Sequence, residues 1–152
     1  MILIIFFVAL LLIAQLIHFL YKAKNQEDNI FTVSRDGLHE QSGKIKDILI
    51  RMKVSQKDMT SALLLLEEIV MRLNDHTDQV ITAKVRSFYG RVSLHLTSYG
   101  PPYNPLESIK DKDSESEEDF RDMIFTANSM RLSYHRYSNR NVIVIDATNP
   151  DK

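Results

Sequence analysis

The stretch AKVRSFYGRVSLHL, residues 83–96, has two readings, and the choice between them sets the fold class. Val85, Phe88, Val92 and Leu96 recur at the three- and four-residue spacings of a helix face, whereas Val92, Leu94 and Leu96 alternate like a half-buried strand. The flanking sequence favours the helix. Residues 44–99 contain no proline, and their one glycine is Gly90. N-terminal to the stretch, Ile45, Ile48, Met52, Ser55, Met59, Ala62, Leu66, Ile69, Leu73, His76, Val80 and Ala83 follow at alternating spacings of three and four, a heptad seam with two polar interruptions. Leu49, Leu63 and Val70 widen the stripe, which suits a bundle helix better than a two-stranded coil.

Residues 44–99 therefore read as a long amphipathic helix, or two if Ser55, with Asp58 three positions on, caps a second one. Its expected helix-packing interface is Ile45, Ile48, Met52, Met59, Leu66, Ile69, Leu73, His76 and Val80, with His76 a buried or half-buried imidazole facing a partner helix. That interface would join protein partners or a second copy of the chain.

On the C-terminal side, SYGPPYNP withdraws backbone donors and forces extended geometry, so residues 100–115 read as a proline-rich turn and an acidic linker. Serines among the acids, Ser114 with Glu117 or Ser116 with Asp119, suit a helix start. Residues 116–152 then read as a helix with the stripe Phe120, Ile124, Ala127, Met130 and Tyr134, packed on the long helix, followed by a short strand from Val142 to Ile145. A lone strand must pair, with a linker strand near Phe31, with residues 92–96 or with another protein. Arg131, His135, Arg136 and Arg140 are interleaved with Tyr134 and Tyr137, a mixture that phosphate-binding surfaces use. The same residues also fit the cationic, half-buried end of a helix.

At the other end, residues 1–21 contain no charged side chain and few hydrogen-bonding ones, enough for about 20 residues of helix, the thickness of a bilayer core. The segment lacks the basic start and small-residue cleavage site of a signal peptide, so it reads as a retained transmembrane anchor, a signal-anchor, with residues 22–43 as a juxtamembrane linker. Lys22 and Lys24 after the span place the N-terminus outside and the body in the cytoplasm. Gln15 and His18 share a helix face and are candidates for an intramembrane contact.

The chain has 152 residues and a formal charge of -1, which gives no sign of a nucleic-acid binder. Acidic residues are concentrated in 101–119. There is no cysteine, which excludes disulfides, thiol catalysis and cysteine-ligated metals. No phosphate loop or nucleophile turn occurs, and the histidines at 18, 39, 76, 95 and 135 are scattered. The expectation is a mainly α, single-pass membrane protein without catalytic residues, cofactor or metal. It would serve as a structural scaffold or accessory subunit of a membrane or envelope assembly, a virus particle among the candidates. The alternative is a tethered module that engages phosphate groups of nucleic acid or lipid through residues 131–140.

Overall fold

The computed structural model describes residues 2–27, 29–107 and 117–148, and the chain divides into two units, Met1–Ile30 and Phe31–Lys152. The first is helix α1 (Ile2–Glu27). Its described side chains are exposed and apolar around much of the axis, Phe7, Leu12, Ile13, Leu16 and Phe19 among them.

The expected membrane anchor is corrected here. Among the described residues no helix is long and apolar enough to cross a membrane. The single-pass topology, its outside-to-cytoplasm orientation and the intramembrane role of Gln15 and His18 fall with it. Those two residues simply share a side of α1 with Leu11 and Phe19.

In the second unit the order is β1 (Ile30–Val33), α2 (Leu38–Arg51), α3 (Gln56–His76), β2 (Ile81–Phe88), β3 (Arg91–Tyr99), α4 (Glu117–Asn128), a 3-10 turn (Ser129–Arg131), β4 (Leu132–Tyr137) and β5 (Arg140–Asp146). The five strands form one sheet in the order β1-β2-β3-β5-β4, with β2–β3, β3–β5 and β5–β4 antiparallel. The fold is therefore α/β, not a mainly α helical bundle.

The helical reading of 44–99 fails at two places. The first break was foreshadowed: Lys53 takes φ +59, and Ser55 caps α3, its Oγ accepting from the Asp58 N–H at 3.2 Å. The second is the β2–β3 hairpin. Its turn, Tyr89-Gly90, has positive φ at both residues, +47 and +79, the geometry that matches the right-handed twist of paired strands. Once the chain turns there, period two wins. Ile81, Ala83 and Val85 on β2 and Val92, Leu94 and Leu96 on β3 all point into the core.

The C-terminal helix is likewise shorter than its stripe. It ends at Asn128, and the positions of Met130 and Tyr134 belong to the following turn and to β4. Ala127 is exposed, and the capping serines 114 and 116 lie outside the described residues. The strand expected at 142–145 exists as β5 and pairs with β3, Leu94 opposite Ile145 and Leu96 opposite Ile143.

One apolar core joins the helices to one face of the sheet. Ile45, Leu49, Leu66, Ile69 and Leu73 meet Ile81, Leu94, Leu96, Ile143 and Ile145, all fully buried. Helix α4 is fastened by Phe125, buried under the Arg72 guanidinium 4.5 Å from its ring centroid. Arg72 also donates to Glu68 at 2.8 Å and to Asp122. Burial opposes the Arg72 charge, but the bonds to Asp122 and Glu68 more than offset it and hold its pKa above the ordinary value.

Candidate functional site

Since one face of the sheet is covered by helices, the side chains of the opposite parity form an outer face. Cross-strand register arranges them in rows. Tyr99, Arg140 and Tyr137 stand side by side on β3, β5 and β4. The next row is Thr82, Thr97, Val142 and His135, then Lys84, His95, Val144 and Ser133, then Arg86, Ser93 and Asp146, and last Phe88 and Arg91. Rows repeat at two residues per step, roughly 7 Å along a strand.

Among the described residues this face carries Lys84, Arg86, Arg91 and Arg140 against one carboxylate, Asp146. Among the described residues none of the four cations makes an ion pair. Elsewhere among the described residues of this unit Lys46, Arg51, Lys53 and Lys57 are likewise without an ion pair, but other cations are held by carboxylates. Arg72 is clasped by Glu68 and Asp122, Arg131 meets Asp58 at 2.6 Å, Arg35 meets Asp75 and Lys44 meets Glu40. Near the middle of the face, burial first and then the positive charges of Arg86, Lys84 and His135 push the His95 imidazole down to about 4. At neutral pH it is uncharged and shares a 3.0 Å hydrogen bond with the Ser93 hydroxyl. Burial is the largest cause of that depression, and the positive neighbours Arg86, Lys84 and His135 add to it.

Aromatic rings mark both ends. Tyr99 and Tyr137 are exposed beside Arg140, and at the hairpin tip Phe88 is 68% and Tyr89 91% exposed. Toward the Asp146 end lies a recess of about 270 Å³, lined by Arg91, Ser93, Met130, Ser133, Val144 and Asp146 among others. Asp146 Oδ1 accepts from the Thr148 N–H and hydroxyl, at 3.1 and 3.0 Å, which fixes its carboxylate.

Of the phosphate-binding candidates 131, 135, 136 and 140, His135 and Arg140 stand on this face and Arg131 lines the recess at its Asp146 end. Neighbouring residues on a strand point to opposite sides, so Arg136 turns inward and donates to Asn141 Oδ1 at 2.9 Å. Arg131, in the turn before β4, is committed to Asp58 on α3. Lys84, Arg86, Arg91 and His95 were not singled out from the sequence. Period two across 82–97 is the signal that exposes them.

The heptad seam goes mostly into the chain's own core. Ile45, Ile48, Met59, Leu66, Ile69 and Leu73 are buried there, and Met52 packs against it. His76 and Val80 are the exceptions that correct the seam. His76 ends α3 exposed, its ring stacked on Tyr103 with centroids 3.9 Å apart, and Val80 is 61% exposed. Among the described residues no group of histidines and carboxylates could hold a metal ion. No family model and no curated protein matches the chain.

Proposed function

We propose that the protein is a binding module whose outer sheet face takes the phosphate groups of a larger anionic partner. The observation that supports it is the charge imbalance of this face: Lys84, Arg86, Arg91 and Arg140 share it with Asp146, and among the described residues none of the four makes an ion pair. Phosphate oxygens would supply the missing counter-charge, and guanidinium groups bind them bidentately. Binding of inorganic polyphosphate to the full chain, followed by calorimetry, tests this. Affinity should fall steeply with added salt and disappear in Lys84→Glu/Arg86→Glu. An affinity insensitive to both would overturn the reading.

A second reading follows from α1. A helix apolar around most of its axis buries that surface in its working state, and the exposed apolar side chains of residues 7–19 leave it to an assembly partner. The chain then acts as an accessory subunit joined through α1. Leu12→Glu/Leu16→Glu should convert oligomers to monomers in analytical ultracentrifugation, and unchanged sedimentation would dismiss this role.

A further inference from the structure

Resting on the phosphate-binding reading of the outer sheet face, we infer that its ligand is single-stranded nucleic acid and that the recess of Arg91, Ser93, Ser133 and Asp146 receives a guanine base. Three observations converge on this.

The first is the pairing of cations with exposed rings. Tyr99 and Tyr137 flank Arg140 in one row, and Phe88 stands beside Arg91 at the far end. Unpaired bases offer free faces to such rings, and stacking together with phosphate contacts is how sheet surfaces hold single strands. A duplex hides its base faces in its own stack. A lipid headgroup has no ring to stack, so on either of those ligands the aromatic ends would go unused.

The second is the placement of the charge. Arg140, Lys84, Arg86 and Arg91 fall in successive or near-successive rows from one end of the face to the other, about 27 Å along β3 at the rise of an extended strand. That is a ladder an extended phosphate backbone can follow. The formal charge of -1 conceals it, because acidic residues are concentrated in 101–119 while the described residues of this face carry only Asp146.

The third is Asp146, the one carboxylate among the described residues of the face. It weakens attraction for phosphate, so its presence there calls for another use. It sits opposite Ser93 across β3–β5, in the recess of about 270 Å³ that also holds Arg91 and Ser133. Guanine is the base that presents two adjacent donors, N1–H and the exocyclic amine, to a carboxylate. It also presents two adjacent acceptors, O6 and N7, to a guanidinium. Adenine and cytosine would each turn an unprotonated ring nitrogen toward Asp146. Val144 and the exposed Met130 provide apolar surface for the ring faces.

Fluorescence anisotropy of the full chain tests the inference with labelled DNA and RNA strands of about eight nucleotides, within the range one such surface covers. The set comprises an all-pyrimidine strand, the same strand with one central guanine or one central adenine, the corresponding duplex, and phosphatidylserine vesicles. The guanine strand should bind roughly 10-fold more tightly than the adenine strand, the discrimination expected of one bidentate base contact. With four phosphate contacts, raising salt from about 50 to 200 mM should weaken it roughly 50-fold.

Asp146→Asn keeps the side-chain oxygen that Thr148 uses and reverses one hydrogen-bonding group. It should erase the guanine preference and, by removing a negative charge, tighten the all-pyrimidine strand about 2-fold. Equal affinity for guanine and adenine strands, or a preference that survives in Asp146→Asn, overturns the inference. So does binding to duplex or vesicles as tight as to the single strand. Polyphosphate binding alongside any of those results leaves the phosphate-binding reading standing, whereas failure to bind every anion removes both.

Discussion

Asn141 ties the proline-rich turn to the sheet, and removing its amide should release that turn at a measurable loss of stability. The residue is 3% exposed on the inner side of β5. Its Oδ1 accepts from the Tyr103 N–H at 3.2 Å, the Tyr134 hydroxyl at 2.9 Å and Arg136 Nη1 at 2.9 Å, while its Nδ2 donates to the Pro101 carbonyl at 2.9 Å. Asn141→Ala deletes all four bonds. At about 1 kcal/mol net for each, the upper figure is about 4 kcal/mol. Tyr134 and Arg136 are only half-buried, so their donors can recover water, and the expected loss is about 3 kcal/mol. Asn141→Asp is the informative partner. It preserves the three accepted bonds and strengthens the one from Arg136, but it sets an oxygen against the Pro101 carbonyl, for a loss of about 1 kcal/mol. Urea denaturation of the full chain followed by circular dichroism gives both numbers, and the near-ultraviolet signal of Tyr103 and Tyr134 follows the turn. A loss below about 1 kcal/mol for Ala, or an Asp variant weaker than the Ala variant, would refute the network as the clasp of the turn.

Phe125→Ala should cost about 3–4 kcal/mol, from lost burial plus the cavity left under Arg72, and hydrogen exchange should show α4 opening ahead of the sheet. For His95, the folded imidazole is held near 4 against an ordinary value of 6.5. The unfolded chain therefore binds more protons between those values, and stability present above pH 6.5 is lost as pH falls toward 4. Urea midpoints measured across that interval should decline, and His95→Gln should flatten the decline. Tyr89 holds a φ of +47, a region where asparagine is at home and a bulky ring is strained. Tyr89→Asn should raise stability by about 1 kcal/mol while weakening strand binding. A variant that gains neither stability nor loses affinity would show the tip to be indifferent to the ring.

Which parts of this architecture were legible in the sequence follows from how far each signal is local. The Ser55 cap, the short strand near Phe31 and the strand at 142–145 are set by a few adjacent residues, and each stands where its residues indicated. Residues 81–99 were not legible as strands, because Val85, Phe88, Val92 and Leu96 satisfy helical spacing as well as they satisfy alternation. What separates the two is tertiary: a hairpin turn at Tyr89-Gly90, and a core that rewards Leu94 with complete burial. The candidate site shared that fate. While 84–95 is taken as helix, Arg86 points nearly opposite to Lys84 and His95, and none of them meets a residue of the last third of the chain. Paired as strands, they join Arg140 and His135, residues some 45 positions away in sequence. Arg136 and Arg140 are close along the chain, yet the pairing of β4 with β5 sets them on opposite faces, and Arg131 lies in the turn before β4.

The strand order has a consequence for how the chain is made. Strand β5 lies between β3 and β4, yet it follows both in the sequence. From the time Tyr99 leaves the ribosome, β3 keeps an unpaired edge until Arg140 to Asp146 follow, about 40 residues later, or a few seconds at ordinary rates of synthesis. Throughout that interval the nascent chain displays Val92, Leu94 and Leu96 on a strand open on one side, the kind of edge that recruits other strands. Nascent chains stalled before residue 140 should therefore be held by chaperones or lost to aggregation. The ladder of cations and rings on the outer face comes into being in a single late step, when β5 docks and supplies Arg140 and Asp146 together.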